Sequence, residues 1–357
     1  QDYVGSNNIN LLKPNGQFGT RLMGGADAAS PRYIHTELNP LIDLIYPSED
    51  FQVLKYNDDD GILVEPKYYV PIIPTVLING MKGIGTGFST SIPPFNPLDV
   101  IQNIIYKIKK QPYKDIDPWF NGFNGTIEKV NNKLYITKGV YNIISNNTLV
   151  ITELPIGVWT QNYKEFLDSL LFDKTKKQKF YILDYEDHST DTIINFKVKV
   201  EPHILKNITC NIKKSVDSIE ELFKLHSSKN TSLTNIHLYN AAGTIKKYHH
   251  INEIFDDYYT ERYNLYITRK DFQLNQIQYE LDINNSKMKF INDVINDKIV
   301  IYRNKKDNII DKLVELKYKM IIDKNITEKY SIENKKTGFN YLINMPLYNL
   351  TEEKMLE

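Results

Sequence analysis

Between Gly243 and Gly338 the chain contains neither glycine nor proline. Tight turns and loops draw on those two residues, so a stretch of that length without them predicts mostly helix. The opposite end is the reverse: twelve of the 15 prolines lie at or before Pro118. That density predicts a compact, turn-rich domain. Such different regimes within 357 residues, at roughly 100–200 residues per domain, predict two or three domains.

The helical part has a readable period. Ile251, Tyr258, Leu265, Phe272 and Tyr279 recur every seven residues from Ile251 onward. The companion stripe, Phe255, Arg262, Arg269, Gln276, Ile283 and Phe290, is half polar. A self-sufficient coiled-coil seam needs both stripes apolar. A long helix packed along one edge by a partner helix is therefore expected. A second helical run is expected over Ile309–Ile322. A third opens at Leu350–Glu357, with Thr351 as N-cap and Glu352 and Glu353 suiting its positive end.

The middle of the chain reads as strands around a helix. Lys133–Thr137, Thr148–Thr152 and Thr192–Val200 are rich in β-branched and aromatic residues. In the last run Ile194, Phe196, Val198 and Val200 share one face, opposite Lys197 and Lys199. Tyr163–Phe172 reads as a helix between strands. The fold class is α+β and multidomain.

Composition narrows the function classes. Lys+Arg and Asp+Glu are 44 each, and zero net charge argues against a protein that coats nucleic acid. The balance is uneven along the chain, with residues 1–130 at net −3, 131–250 at +4 and 251–357 at −1. The basic middle is where non-specific attraction to a polyanion is expected. No stretch approaches the roughly 18 apolar residues of a membrane span. A single cysteine, Cys210, excludes an intrachain disulfide framework and a multi-cysteine zinc site, and fits a reducing compartment. The richness in Asn, Ile, Lys and Tyr reads as an AT-rich genome, which makes the Asn-x-Ser/Thr triplets chance matches. Starting at Gln1, without a basic or apolar leader, the chain is expected to be a piece of a longer protein.

The segment richest in chemistry is Gly16–Thr36. Gly16, Gly19, Gly24 and Gly25 allow the backbone to approach a ligand closely, and Arg32 stands beside Tyr33. A guanidinium offers a planar fork to phosphate oxygens. A tyrosine hydroxyl, with an ordinary pKa of about 10, is a weak nucleophile and needs a cation or metal nearby to attack phosphate. Taken alone, Tyr33 is one of 25 tyrosines.

This segment resembles the active-site tyrosine region of eukaryotic-type type IIA DNA topoisomerases. The resemblance continues in order through Asp2–Leu12, Val64–Pro74, Val76–Asn96, Ile151–Thr160, Asn230–Thr234 and Phe339–Thr351, and so covers essentially the whole chain. It implies a winged-helix domain over 1–95, an α/β tower domain over 96–248, and a coiled-coil arm with a C-terminal gate over 249–357. It implies that Tyr33 attacks a DNA phosphate and becomes joined to the 5′ end, with Arg32 steadying the charge that develops. Two protomers would cut the strands with a stagger, let a second duplex through and reseal. The resemblance places Ile92 as an apolar wedge between base pairs. Without it, Ile92 reads as a buried hairpin isoleucine. Gly19, Arg21, Ser30 and Lys82 are the further implied DNA contacts.

The same resemblance implies Mg2+ and ATP as cofactors, held by upstream toprim and ATPase domains, and no metal site in this chain. The implied partners are double-stranded DNA and a second copy of the chain, without a membrane. The implied location is the nucleus, or a cytoplasmic replication site if the source is viral. A non-catalytic DNA-bending or scaffold protein with the same fold is the competing reading, and the presence of both Arg32 and Tyr33 favours the enzyme. Asp58–Asp60, followed by Gly61, reads as an exposed turn. Gly83–Gly87 lacks the spacing and the following helix of a dinucleotide loop. The Asn230–Leu233 loop, preceded by Ser227, Ser228 and Lys229, reads equally well as lying near the DNA or a domain junction or as a solvated loop. His35 reads as packed or exposed. At Ala26 the family usually has a polar residue, so one phosphate contact is expected to be missing or supplied by Lys82.

Overall fold

The computed structural model describes residues 1–171, 181–202, 218–227, 231–321 and 338–346. Two compact units divide the chain, Gln1–Tyr266 and Ile267–Glu357. The first unit begins with helix α1 (Leu41–Ile45) and the hairpin β1 (Tyr56–Asp59)–β2 (Ile62–Pro66). Helix α2 (Thr75–Asn79) leads into a second hairpin, β3 (Met81–Gly85)–β4 (Phe88–Ile92), and then α3 (Pro97–Ile108). Both hairpins turn on two residues of positive φ, Asp60-Gly61 and Thr86-Gly87. That is the type I′ geometry matching the twist of paired strands. It accounts for the Asp run as a turn, as its sequence suggested.

The rest of the first unit contains two antiparallel sheets. The strands are β5 (Thr126–Asn131), β6 (Leu134–Lys138), β7 (Val140–Ser145) and β8 (Thr148–Glu153). After α4 (Thr160–Leu170) come β9 (Asp184–Asp187), β10 (Phe196–Lys199), α5 (Ser218–Leu222) and β11 (Thr231–Ser232). One sheet has the order β7-β8-β10-β9 and the other β11-β6-β5. A last hairpin, β12 (Ile236–Tyr239)–β13 (Ile245–Tyr248), precedes the long helix.

Sequence periodicity translates directly into the sheet core. Ile194, Phe196, Val198 and Val200 are all buried, while Lys197 and Lys199 face outward. Leu149 and Ile151 of β8 meet them, and Tyr163 and Leu167 of α4 close the layer. Phe196 lies 5.4 Å from Tyr163, ring to ring. The strand is shorter than its apolar run, because Thr190 and Asn195 close a local turn ahead of it (His188 N–H to Asn195 O, 2.8 Å; Thr190 N–H to Ile193 O, 2.9 Å). Helix α4 begins three residues before the expected Tyr163, and Phe172 lies outside the described residues.

The stretch free of glycine and proline forms helix α6 (Ile251–Ile295), 45 residues long. At 1.5 Å per residue it extends about 68 Å. The half-polar stripe has a physical reason near its start. Phe255 is buried, and Arg262 reaches a buried ion pair with Asp50 and also donates to Val70 O at 2.9 Å. From Phe272 to Leu281 the apolar side chains are exposed, and no helix covers them among the described residues. The third helical run, Leu350–Glu357, lies outside the described residues.

In the second unit α7 (Lys306–Glu315) and α8 (Asn340–Ile343) pack with Phe290 and Tyr318. Helix α7 stops well short of Ile322. Lys317 adopts φ +57°, and Tyr318 N–H returns to Leu313 O at 3.0 Å. That turn carries Tyr318 into the core, where its hydroxyl donates to Asp293 at 2.8 Å. No helix among the described residues is long and apolar enough to cross a membrane.

The sheet core rests on Phe196. Phe196→Ala is expected to lower the unfolding free energy by about 3–5 kcal/mol, read by denaturant titration. A loss below about 1 kcal/mol would contradict this packing.

Candidate active site and nucleic-acid interface

The Gly16–Thr36 segment is a loop pinned at its base. Asn15 and His35 exchange backbone hydrogen bonds at 3.1 and 2.9 Å, and Lys13 N–H donates to Glu37 O at 2.9 Å. Within the loop, the Asp27 carboxylate accepts from Thr20 N–H (2.8 Å), Thr20 Oγ1 (2.5 Å) and Gln17 Nε2 (3.1 Å). Burial works against the charged form of Asp27, but these hydrogen bonds hold its carboxyl below the usual carboxylate range. Gly19 and Gly25 both have positive φ where the loop crosses itself. A Cβ on Gly19 would stand 2.6 Å from Gly25 Cα, so a side chain cannot be accommodated there.

The reactive pair stands outside this frame. Pro31–Tyr33 is one turn of 3₁₀ helix, opened by Ser30 O accepting Tyr33 N–H at 2.9 Å. Proline at the first helical position presets that turn. Tyr33 is 72% exposed. Arg32 lies with its guanidinium carbon 5.7 Å from the Tyr33 ring, and its Nε donates to Ser30 Oγ at 3.4 Å. The sequence therefore brings Ser30, Arg32 and Tyr33 together on one accessible turn. His35 is exposed as well.

Three expected DNA contacts are buried. Gly19 is buried and serves the loop crossing. Arg21 is only 3% exposed; its Nη2 is paired with the buried carboxylate of Glu153 and also donates to Leu154 O at 3.2 Å. A guanidinium so committed is unavailable to phosphate, and separating it from its buried partner costs about 3–5 kcal/mol. Ile92 is 3% exposed and packs with Leu77, Phe95 and Val100. It also lines the groove at the base of its hairpin, beside Lys82 and Ser91. The most exposed apolar side chain of that hairpin is Ile84, at 86%, and Met81 and Phe88 are also exposed. Lys82 is exposed on β3.

The hairpin that carries Ile84 is braced from the side. Ser91 N–H donates to Asn235 O at 2.8 Å, Asn235 Nδ2 to Ser89 Oγ at 2.9 Å, and Thr86 Oγ1 and Tyr239 Oη share a hydrogen bond of 2.9 Å. A groove of about 860 Å³ runs beside its base, lined among others by Ser6, Asn7, Lys82, Trp159 and Asn162. Of the Asn230–Leu233 loop and the residues before it, Ser227 and Thr231 line that groove. Residues 228–230 lie outside the described residues.

Two residues at the site were legible only as part of a family segment. Glu153 continues the buried face of β8 after Leu149 and Ile151. Period-2 alternation thus signals a buried carboxylate, which must have a partner. Ile84 could have been found from Thr86-Gly87, a two-residue hairpin signal that puts its neighbours at a tip.

Among the described residues, neither the Asp58–Asp60 run nor the Gly83–Gly87 segment is arranged to hold a metal or a nucleotide. Asp58 Oδ1 accepts Gly61 N–H at 2.7 Å, closing its own exposed turn. Among the described residues no three His, Cys, Asp or Glu side chains are grouped to hold a metal ion. Gly83–Gly87 lies in a hairpin, with no helix N-terminus to meet a phosphate. The basic middle is also less available than its charge suggests. Lys138 faces Glu128 and Glu220, Lys164 faces Asp187, and Lys197 and Lys199 face Glu186. Hydrogen bonds from His188, Lys197 and Lys199 hold the Glu186 carboxyl down to about 2, so it stays charged.

The chain resembles known proteins along its whole length. A sequence model of the DNA gyrase/topoisomerase IV family, describing the A-type polypeptide of those enzymes, matches residues 1–357. A DNA topoisomerase 2 of Acanthamoeba polyphaga mimivirus is 37% identical over an alignment of 413 residues, covering 99% of this chain and 32% of that protein. A DNA topoisomerase 2 of Penicillium chrysogenum is 34% identical, covering 99% of this chain and 23% of that protein. The chain thus spans about a third or less of these relatives. The crystal structure of the Plasmodium falciparum topoisomerase II DNA-binding, cleavage and re-ligation domain superposes with a TM-score of 0.81 at 37% identity. It covers all of this chain and 49% of that one. The mixed α/β fold is therefore that of a topoisomerase II cleavage core.

The two hairpin isoleucines should separate cleanly in stability. Ile92→Ala is expected to cost about 2–5 kcal/mol and Ile84→Ala less than about 0.5 kcal/mol, by denaturant unfolding. Equal costs would contradict their placement.

Proposed function

The chain belongs to the DNA gyrase/topoisomerase IV family of A-type polypeptides, and from that membership we propose that it is the DNA-cleaving and rejoining core of a type IIA topoisomerase, with Tyr33 as its nucleophile. The observation that carries this reading is the Arg32–Tyr33 turn, exposed on a loop that is otherwise closed on itself.

In the reaction, Tyr33 Oη loses its proton and bonds to a backbone phosphorus as the bond from phosphorus to the 3′ oxygen breaks. The products are a 5′-phosphotyrosine and a free 3′-hydroxyl. One ester is exchanged for another, so the reverse attack by that hydroxyl reseals the strand without an energy source. Arg32 faces the oxygens on which charge develops, in a position where a fixed cation helps most. Lys82, exposed beside the groove at the base of its hairpin, holds the backbone of the duplex. The resemblance gives the wedge role to Ile92, which lines that groove, and Ile84 at the exposed tip of the same hairpin is a second apolar side chain free to enter a base step.

The finer architecture belongs to the same proposal. Residues 1–95 are read as part of a winged-helix domain, 96–248 as the tower, and 249–357 as a coiled-coil arm leading to a gate. The two β hairpins, the paired sheets and the 45-residue helix support this division. Magnesium and ATP, which the resemblance implies for the full-length enzyme, are assigned to toprim and ATPase domains outside this chain. Double-stranded DNA and a second protomer are the proposed partners, and a nuclear or viral replication site the proposed location.

Full-length protein carrying Tyr33→Phe is expected to bind DNA with unchanged affinity, to form no covalent adduct and to relax no supercoils. Relaxation by that variant would overturn the assignment. In the same assay Arg32→Ala should lower the cleavage rate by about 10²–10³-fold. Near-normal cleavage would remove Arg32 from the site.

A further inference from the structure

The loop that carries Tyr33 is fastened at three points, to the four-stranded sheet and to the start of helix α4. First, Arg21 is paired with Glu153 at the end of β8, both side chains buried. The carboxylate is already oriented by its own surroundings, since Oε1 accepts Leu154 N–H at 2.8 Å and Oε2 accepts Asn124 N–H at 3.1 Å. Glu153 is thus fixed by the sheet, and the loop docks onto it. Second, Gln161 N–H, in the first turn of α4, donates to Leu22 O at 2.9 Å. That group is one of the helix-end donors with no partner inside the helix. Third, the Trp159 indole lies against Gly24, where an added Cβ would stand 2.2 Å from the ring. The Tyr3 ring, 5.6 Å away and edge-on, holds the indole from the other side.

Between these fastenings and the antiparallel base at Asn15 and His35, the Arg32–Tyr33 turn has only its own local hydrogen bonds. Its position is therefore set by where the loop is held. We infer that Glu153 and Trp159 are positioning residues for DNA cleavage, locking the nucleophile loop to the sheet so that Tyr33 meets the phosphate in line. This inference rests on Tyr33 being the nucleophile. Glu153 and Trp159 touch neither DNA phosphorus nor the reacting oxygen; they act through Arg21 and Gly24. Small misplacement of a reacting atom lowers rate far more than binding, by up to about 100-fold for an ångström. Loosening the lock should consequently separate cleavage from affinity.

The test compares full-length Glu153→Gln with Asp50→Asn, which disrupts the other buried arginine–carboxylate pair, Arg262–Asp50, in the same unit. Each is measured for DNA affinity, thermal unfolding and single-turnover formation of covalent adduct on a labelled duplex with magnesium. Glu153→Gln is expected to keep its affinity and to lose about 10–100-fold in adduct formation. Asp50→Asn, with a comparable loss of thermal stability, should keep its cleavage rate within about twofold. Trp159→Phe, which leaves the ion pair intact, should show the same split in milder form, and it decides the matter if Glu153→Gln does not fold. Wild-type cleavage in Glu153→Gln and Trp159→Phe, or an equal loss in Asp50→Asn, would overturn the inference. Absence of adduct from the wild-type protein would instead count against Tyr33 as the nucleophile.

Discussion

The guanidinium of Arg21 and the carboxylate of Glu153 are both almost wholly withdrawn from water. A charge so placed is tolerated only while its partner and its hydrogen bonds are in position. Here the carboxylate takes two backbone N–H groups from its own neighbourhood, and the arginine arrives from a loop 132 residues away in sequence. The pair therefore specifies a register between loop and sheet more sharply than apolar contact can. The crossing of Gly19 over Gly25 and the indole against Gly24 both depend on that register.

A rigid frame around an exposed turn suits phosphoryl chemistry on a large substrate. Duplex DNA cannot enter a closed pocket, so the proposed nucleophile, Tyr33, must stand at the surface. A surface side chain is poorly fixed by its own contacts, and Tyr33 has few. Rigidity is instead supplied from beneath, by the Asp27 hydrogen bonds within the loop and by the sheet behind it. The hairpin of β3 and β4 repeats this scheme. Ile92 anchors it in the core, Asn235 and Tyr239 brace its flank, and Ile84 remains exposed at the end.

Much of this was legible from residues alone. The stretch without glycine and proline marks the long helix, and alternation in Thr192–Val200 marks the buried face of its strand. The Arg32–Tyr33 pair and the turn at Asp60-Gly61 were also readable. What remained hidden depends on tertiary partners. Nothing local distinguishes Arg21, a guanidinium turned inward, from Arg32, turned outward; Glu153 makes the difference, far along the chain. Ile92 and Ile84 sit on one hairpin, and only the core beneath decides which is buried. The net basic charge of residues 131–250 is likewise spoken for, in part, by carboxylates on neighbouring strands.

The proposed function assigns the exchange of esters with DNA to one tyrosine of 25, presented by the fold on an exposed turn beside Arg32. The most direct measurement traps the covalent adduct on the full-length protein, digests both components and maps the modified residue by mass spectrometry. The account predicts a nucleotide attached to Tyr33 through its 5′ phosphate. Attachment to any other residue, or through a 3′ phosphate, would contradict it.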